Sequence, residues 1–152
     1  DIWSFGCILA ELYSGYPIFP GESEHDQLGY IMEICGIPSR HVLSQASRGK
    51  LFFDKSYNPI LSENSRGKIR RPYTKSLSSV LQCSDKSFIR FLKGCLAWDP
   101  EERFTPTEAL MHEWILEGLP PKVLAQHKKM LGIEEFPGKF LILYNFYRTK
   151  SR

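Results

Sequence analysis

At 152 residues, 42% of them hydrophobic and 24% charged, the chain is long enough to build one domain with a real core, which excludes a disordered or low-complexity polymer. Its net charge is only +3, but residues 47–76 carry eight basic side chains against Asp54 and Glu63, a local +6 that leaves −3 for the rest. Such a run reads first as a solvated loop and second as a contact for an acidic partner or nucleic acid.

The first fifteen residues, Asp1-Ile2-Trp3-Ser4-Phe5-Gly6-Cys7-Ile8-Leu9-Ala10-Glu11-Leu12-Tyr13-Ser14-Gly15, are apolar nearly all the way round at 3.6 residues per turn. That pattern predicts a core helix buried on most sides, with Asp1, Ser4 and Glu11 along one polar edge. Gly15 supplies a left-handed stop, and Asp1 or Ser4 can cap the first turn. Pro17, Pro20 and Gly21 then force a loop. Leu28, Ile31, Met32 and Cys35 recur at i, i+3, i+4, i+7, so a second helix packs inward and keeps Glu24, Asp26, Gln27 and Glu33 wet until Gly36 and Pro38 end it.

From Arg40 to about Ser84 periodicity is weak and Ser, Asn and Gly are frequent, which predicts a long loop with short helical turns. Phe88, Phe91, Leu92, Cys95 and Leu96 define another amphipathic helix, with Lys86, Arg90 and Lys93 on its other side. Thr105-Pro106-Thr107-Glu108 is a capping box with proline at the first helical position, and predicts a short helix to about Trp114. Pro120-Pro121 breaks the chain, Val123 to Leu131 reads as helical, and Phe140 to Tyr147 as a strand or an unpaired, adhesive segment.

Cys7, Cys35, Cys83 and Cys95 form no C-x-x-C pair, and the four histidines have no ligand spacing with them, so no metal site is expected. Cys7, Cys35 and Cys95 lie on apolar helical stripes and read as reduced thiols, the state kept in cytosol or nucleus. The longest apolar runs fall far short of the ~20 residues that span a bilayer, and no signal-peptide pattern is present.

Asp1-Ile2-Trp3-Ser4-Phe5-Gly6-Cys7-Ile8, followed by Gly15-Tyr16-Pro17-Ile18-Phe19-Pro20-Gly21, resembles the central helix of the large lobe of eukaryotic protein kinases and the loop after it. Gln27-Leu28, Ile31-Met32-Glu33 and Gly36-Ile37-Pro38 resemble the next helix of the CMGC kinases, and Phe52-Phe53-Asp54 with Arg66-Gly67-Lys68 resembles their dual-specificity tyrosine-regulated family. Cys95-Leu96-Ala97-Trp98-Asp99-Pro100 through Arg103-Phe104-Thr105-Pro106, then Ala109-Leu110 and His112-Glu113-Trp114, resembles the close of the kinase domain.

The resemblance implies a mainly α fold, the lower half of a kinase large lobe, with a central buried helix, the helices after it and the CMGC-type insert. Residues 1–116 would be the partial kinase domain and 117–152 an extension. It implies a parent serine/threonine or dual-specificity kinase that uses ATP and Mg to phosphorylate protein hydroxyls. The motifs for that chemistry, G-x-G-x-x-G, H-R-D, D-F-G and A-P-E, are absent, so no catalytic or metal residue is assigned and the segment by itself is expected to bind no ATP. The chain opens inside a motif without an initiator Met, the pattern expected of a fragment.

Three residues carry over by position. Asp1 resembles the aspartate that holds the catalytic loop from beneath, though an ordinary helix cap is the simpler role. Arg103 resembles the arginine that pairs with the A-P-E glutamate; without that partner it is expected unpaired or solvated. Glu11 resembles a glutamate that faces the substrate groove and pairs with a peptide arginine. Alternative readings are a non-catalytic protein-binding module with docking at 47–76 and, weakest, a nucleic-acid-binding domain.

Overall fold

The computed structural model describes residues 1–132. Phe140 to Tyr147 therefore lies outside the described residues. The chain divides into two compact units, Asp1–Trp114 and Ile115–Arg152.

The described residues are mainly helical. In order they are α1 (Ile2–Ser14), α2 (Glu24–Cys35), α3 (Arg40–Gln45), α4 (Leu77–Leu81), α5 (Lys86–Cys95), α6 (Pro106–Leu110), α7 (Glu113–Glu117) and α8 (Pro121–Leu131), with a 3-10 turn at Gly49–Leu51. α8 runs two residues further toward the N-terminus than the reading from Val123.

α1 begins where the Asp1 carboxylate accepts the Trp3 N–H at 2.8 Å and closes at Gly15, whose φ is 80°. It packs on α5 through Gly6, where an added Cβ would come within 2.7 Å of the Cys95 Cβ. Ala10 is fully buried beside it. The other side is not covered. Ile8 and Leu12 are exposed to 55% and 76%, with Phe5 beside them at 40%, so the expectation of a helix buried on most sides is corrected to one-sided burial. The chain supplies apolar neighbours for the face that carries Gly6 and Ala10, and none of the described residues covers the opposite face.

The main core joins Ala10 to Ile18 and Phe19 of the following loop, Leu77 and Leu81 of α4, and Phe88, Ile89, Leu92 and Leu96 of α5 and its end. Cys83, which helical periodicity left unassigned, is buried there too. Burial pushes the Cys35 and Cys95 thiols up to about 12, which leaves them protonated and poorly nucleophilic. A second cluster gathers Met32, Leu43 and Phe53, with Trp98 donating its indole N–H to the Gly36 carbonyl at 2.9 Å.

The segment between α3 and α4 contains an arrangement that hydropathy does not show. Residues 53–59 and 63–69 form the same turn twice, ten residues apart, each closed by an antiparallel bridge, Phe53 to Pro59 and Glu63 to Ile69. In the first, the Asp54 Oδ1 accepts the N–H groups of Ser56 and Asn58, both at 2.8 Å. In the second, the Asn64 Oδ1 accepts those of Arg66 and Lys68 at 3.0 and 2.9 Å. The fifth residue of each is left-handed, Tyr57 at φ 64° and Gly67 at φ 69°. Gly67 adopts this freely, whereas Tyr57 must offset the cost by packing against the Met32 cluster.

The capping box at Thr105 and Glu108 forms as expected, with Pro106 at the first helical position. The helix does not continue to Trp114, however. It stops at Leu110, and α7 starts where the His112 Nδ1 accepts the Trp114 N–H at 3.2 Å. His112 competes with the helical carbonyls for that donor, and its ring sits between Phe91 and Phe104.

Burial lowers the His112 pKa below its usual value, while the nearby Glu113 raises it and Arg90 lowers it. The unfolded chain takes up this proton near pH 6.5 and the folded chain resists, so stability should fall as pH drops below about 6.5. Urea titrations from pH 7 to 5.5 should show that slope, and His112→Gln should flatten it. An unchanged slope would assign the pH dependence elsewhere.

Candidate functional site

Asp1 and Arg103 meet at the N-terminal end of α1, with Trp3 between them. Asp1 caps the Trp3 N–H, and the Arg103 guanidinium lies 5.2 Å from the centre of the Trp3 ring. Trp3 also approaches Trp98 at 5.9 Å and stacks near Phe19 at 6.1 Å. A cation over an indole face is attracted by the ring quadrupole.

Arg103, expected unpaired or solvated without its partner, is held by backbone carbonyls. It is half-buried, donates Nε–H to the Ala97 carbonyl at 3.0 Å and a terminal N–H to the Trp98 carbonyl at 3.1 Å, and makes no ion pair among the described residues. It thereby ties the turn after α5 to α1. Its remaining donors keep a carboxylate-binding fork available.

Glu11 stands ten residues along the same helix, about 15 Å from Asp1 at 1.5 Å per residue. Its side chain is exposed and has no hydrogen bond or ion pair among the described residues. Its neighbours on the open side, Ile8 and Leu12, are apolar. An exposed, unpartnered carboxylate beside apolar side chains suits a charge-assisted bond from an incoming guanidinium.

The strongest polar constellation was missed in the sequence. Asp26 and Glu33 of α2, expected wet, are buried to 7% and 4% exposure, and Arg70 to 6%. The Arg70 Nε reaches Asp26 at 2.7 Å and a terminal nitrogen reaches Glu33 at 3.1 Å. Lys75 adds a bond to Glu33 at 2.9 Å, and the guanidinium lies 3.2 Å from the centre of the Tyr30 ring. Gly29 makes room for the Arg70 stem, since an added Cβ would touch it at 3.2 Å. Two cations offset two anions, so the group clamps the long segment onto α2. Asp26, Gly29 and Glu33 share one helical line, the only signal available without knowing that Arg70 returns.

These residues do not fit Mg-ATP. Among the described residues no group of three or more His, Cys, Asp or Glu could hold a metal ion. The cavity of about 630 Å³ between the ends of α2 and α5 is walled by Ile34, Ile37, Leu77, Leu96 and Trp98; of its two lysines, Lys75 is held by Glu33, and Lys93 shares the lining with the carboxylates of Asp99 and Glu102. No step of phosphoryl transfer is assigned to this chain. No described helix is long and apolar enough to cross a membrane.

Comparison with known proteins gives a family match over residues 1–115, described as the protein kinase domain. The chain is 51% identical over 115 residues to the DYRK-family kinase pom1 of Schizosaccharomyces pombe, covering 76% of this chain and 11% of that one. It is 49% identical over 128 residues to dual specificity tyrosine-phosphorylation-regulated kinase 2 of Drosophila melanogaster, 84% of this chain and 17% of that one. It is 51% identical over 115 residues to dual specificity tyrosine-phosphorylation-regulated kinase 4 of Homo sapiens, 76% of this chain and 22% of that one.

Proposed function

The chain belongs to the protein kinase domain family, its similarity falling among the dual-specificity tyrosine-regulated kinases, and on that premise we propose that it serves as the lower, substrate-facing part of a catalytic lobe. The chain spans under a third of the length of these relatives. The activity proposed for the complete protein is transfer of the ATP γ-phosphate to serine, threonine or tyrosine hydroxyls of protein substrates, in cytosol or nucleus, where the thiols stay reduced. ATP and Mg would be held by residues outside this chain.

Within that activity Glu11 is the substrate-binding residue, Asp1 supports the catalytic loop, and Arg103 offers its fork to a carboxylate of the activation segment. The observation that supports this reading is the exposed, unpartnered Glu11 carboxylate on the open side of α1.

A chimaera tests it, with this segment replacing the matching residues of one of the relatives. It should phosphorylate peptides with an arginine upstream of the target, and Glu11→Gln should reduce kcat/KM for them by about ten- to a hundredfold, the range for a hydrogen bond to a charged group. Peptides without that arginine should be barely affected. Equal losses on both classes would assign Glu11 a structural role.

A second reading, a protein-docking module, is favoured by the exposed basic side chains of residues 47–76.

A further inference from the structure

Of the eight basic residues in 47–76, three are consumed internally. Arg48 makes a bidentate pair with Glu24 at 2.9 and 2.7 Å, Arg70 is buried on Asp26 and Glu33, and Lys75 binds Glu33. Lys50, Lys55, Arg66, Lys68 and Arg71 remain exposed, with no ion pair among the described residues. Asp54, which accepts the N–H groups of Ser56 and Asn58 and the Asn58 amide, Glu63, and Glu22, whose carboxylate bonds Ser65 beside Arg66, offset part of this charge, and the five cations still outnumber the three carboxylates.

The same segment exposes aliphatic side chains: Leu51, Ile60, Leu61 and Ile69, each between 38% and 53% accessible. Ile60 and Leu61 lie together, and Leu51 and Ile69 are close to them along the chain. The Ile60 N–H bonds the Phe52 carbonyl at 2.7 Å, next to Leu51, and Ile60 and Leu61 line a small crevice with Arg70, next to Ile69. Single exposed aliphatics are ordinary, but several on one segment, among cations that outnumber the nearby carboxylates, have the composition of an interaction surface.

We infer that the twin-turn segment, residues 49–71, is a docking surface for an extended acidic stretch of a partner protein, whose aliphatic side chains rest between the turns while its carboxylates face the lysines and arginines around them. This deepens the docking reading and is independent of kinase activity.

Nucleic acid fits less well, because Phe52, Phe53 and Tyr57 are half-buried or buried, which leaves Tyr73 as the open ring of the basic run, short of a row of rings for successive bases. A bilayer fits less well too. The turn tips carry Lys55-Ser56 and Arg66-Gly67, while the aliphatic residues sit at the turn bases, where a flat surface reaches last.

The test is fluorescence anisotropy of the 152-residue chain with a labelled twelve-residue peptide bearing leucine at every fourth position and glutamate or aspartate between. Beside it run the same peptide with serine for leucine, vesicles of three parts phosphatidylcholine to one of phosphatidylserine, and a twenty-base-pair duplex. The acidic leucine peptide should bind best. Its affinity should fall about tenfold with Lys55→Gln plus Lys68→Gln, and likewise with Ile60→Ser plus Leu61→Ser, while Lys93→Gln on α5 leaves it unchanged. The lysine variants touch no core, so they decide the matter even if the aliphatic pair unfolds. Loss of leucine dependence, or stronger binding to vesicles or duplex, would overturn the acidic-peptide assignment but leave a docking segment. No binding to any probe would overturn both.

Discussion

Arg70→Met should cost about 3 to 5 kcal/mol, the range for removing one partner of a buried ion cluster. The loss is not the worth of the Arg70 bonds themselves. It comes from Asp26 and Glu33, which would be left at 7% and 4% exposure with only Lys75, itself about a third exposed, to answer them. Urea unfolding followed by tryptophan fluorescence reports it, since Trp98 bonds the Gly36 carbonyl at the end of α2. A triple variant, Arg70→Met with Asp26→Leu and Glu33→Leu, should recover most of the stability, because it removes the stranded charges. A single-variant loss under about 1 kcal/mol would mean that water reaches the two carboxylates.

The chain by itself should be helical by far-UV circular dichroism yet bind hydrophobic dye and associate, because one side of α1 is bare. Phe5, Ile8 and Leu12 lie exposed along it, and each large apolar side chain left in water forfeits roughly 1.5 to 3 kcal/mol. Against a total stability of about 5 to 15 kcal/mol, a few such residues are enough to loosen the packing. Ile8→Ser with Leu12→Ser should reduce dye binding and association while leaving helix content unchanged. In a polypeptide that covers this face, the same pair should destabilise instead. A sharp melt from a dispersed monomer without dye binding would refute the expectation and favour the independent docking module.

What the sequence determined by itself was whatever depends on neighbours within one or two turns. Helix boundaries at Gly15 and Gly36, the capping box at Thr105 and Glu108, and the amphipathic stripe of α5 all follow from spacing, because their partners are three to seven residues away. The kinase resemblance was legible for a related reason, since its motifs are short, ordered strings. The tertiary structure decided the rest. Asp26 and Glu33 look like a wet face until Arg70, 44 and 37 residues on, returns to neutralise them. Arg103 looks idle until the turn after α5 brings it over Trp3. The doubled turn rests on a side-chain oxygen replacing backbone acceptors, which hydropathy does not register. α1 looks like a core helix because periodicity reports how apolar a face is, whereas burial depends on whether another segment comes to cover it.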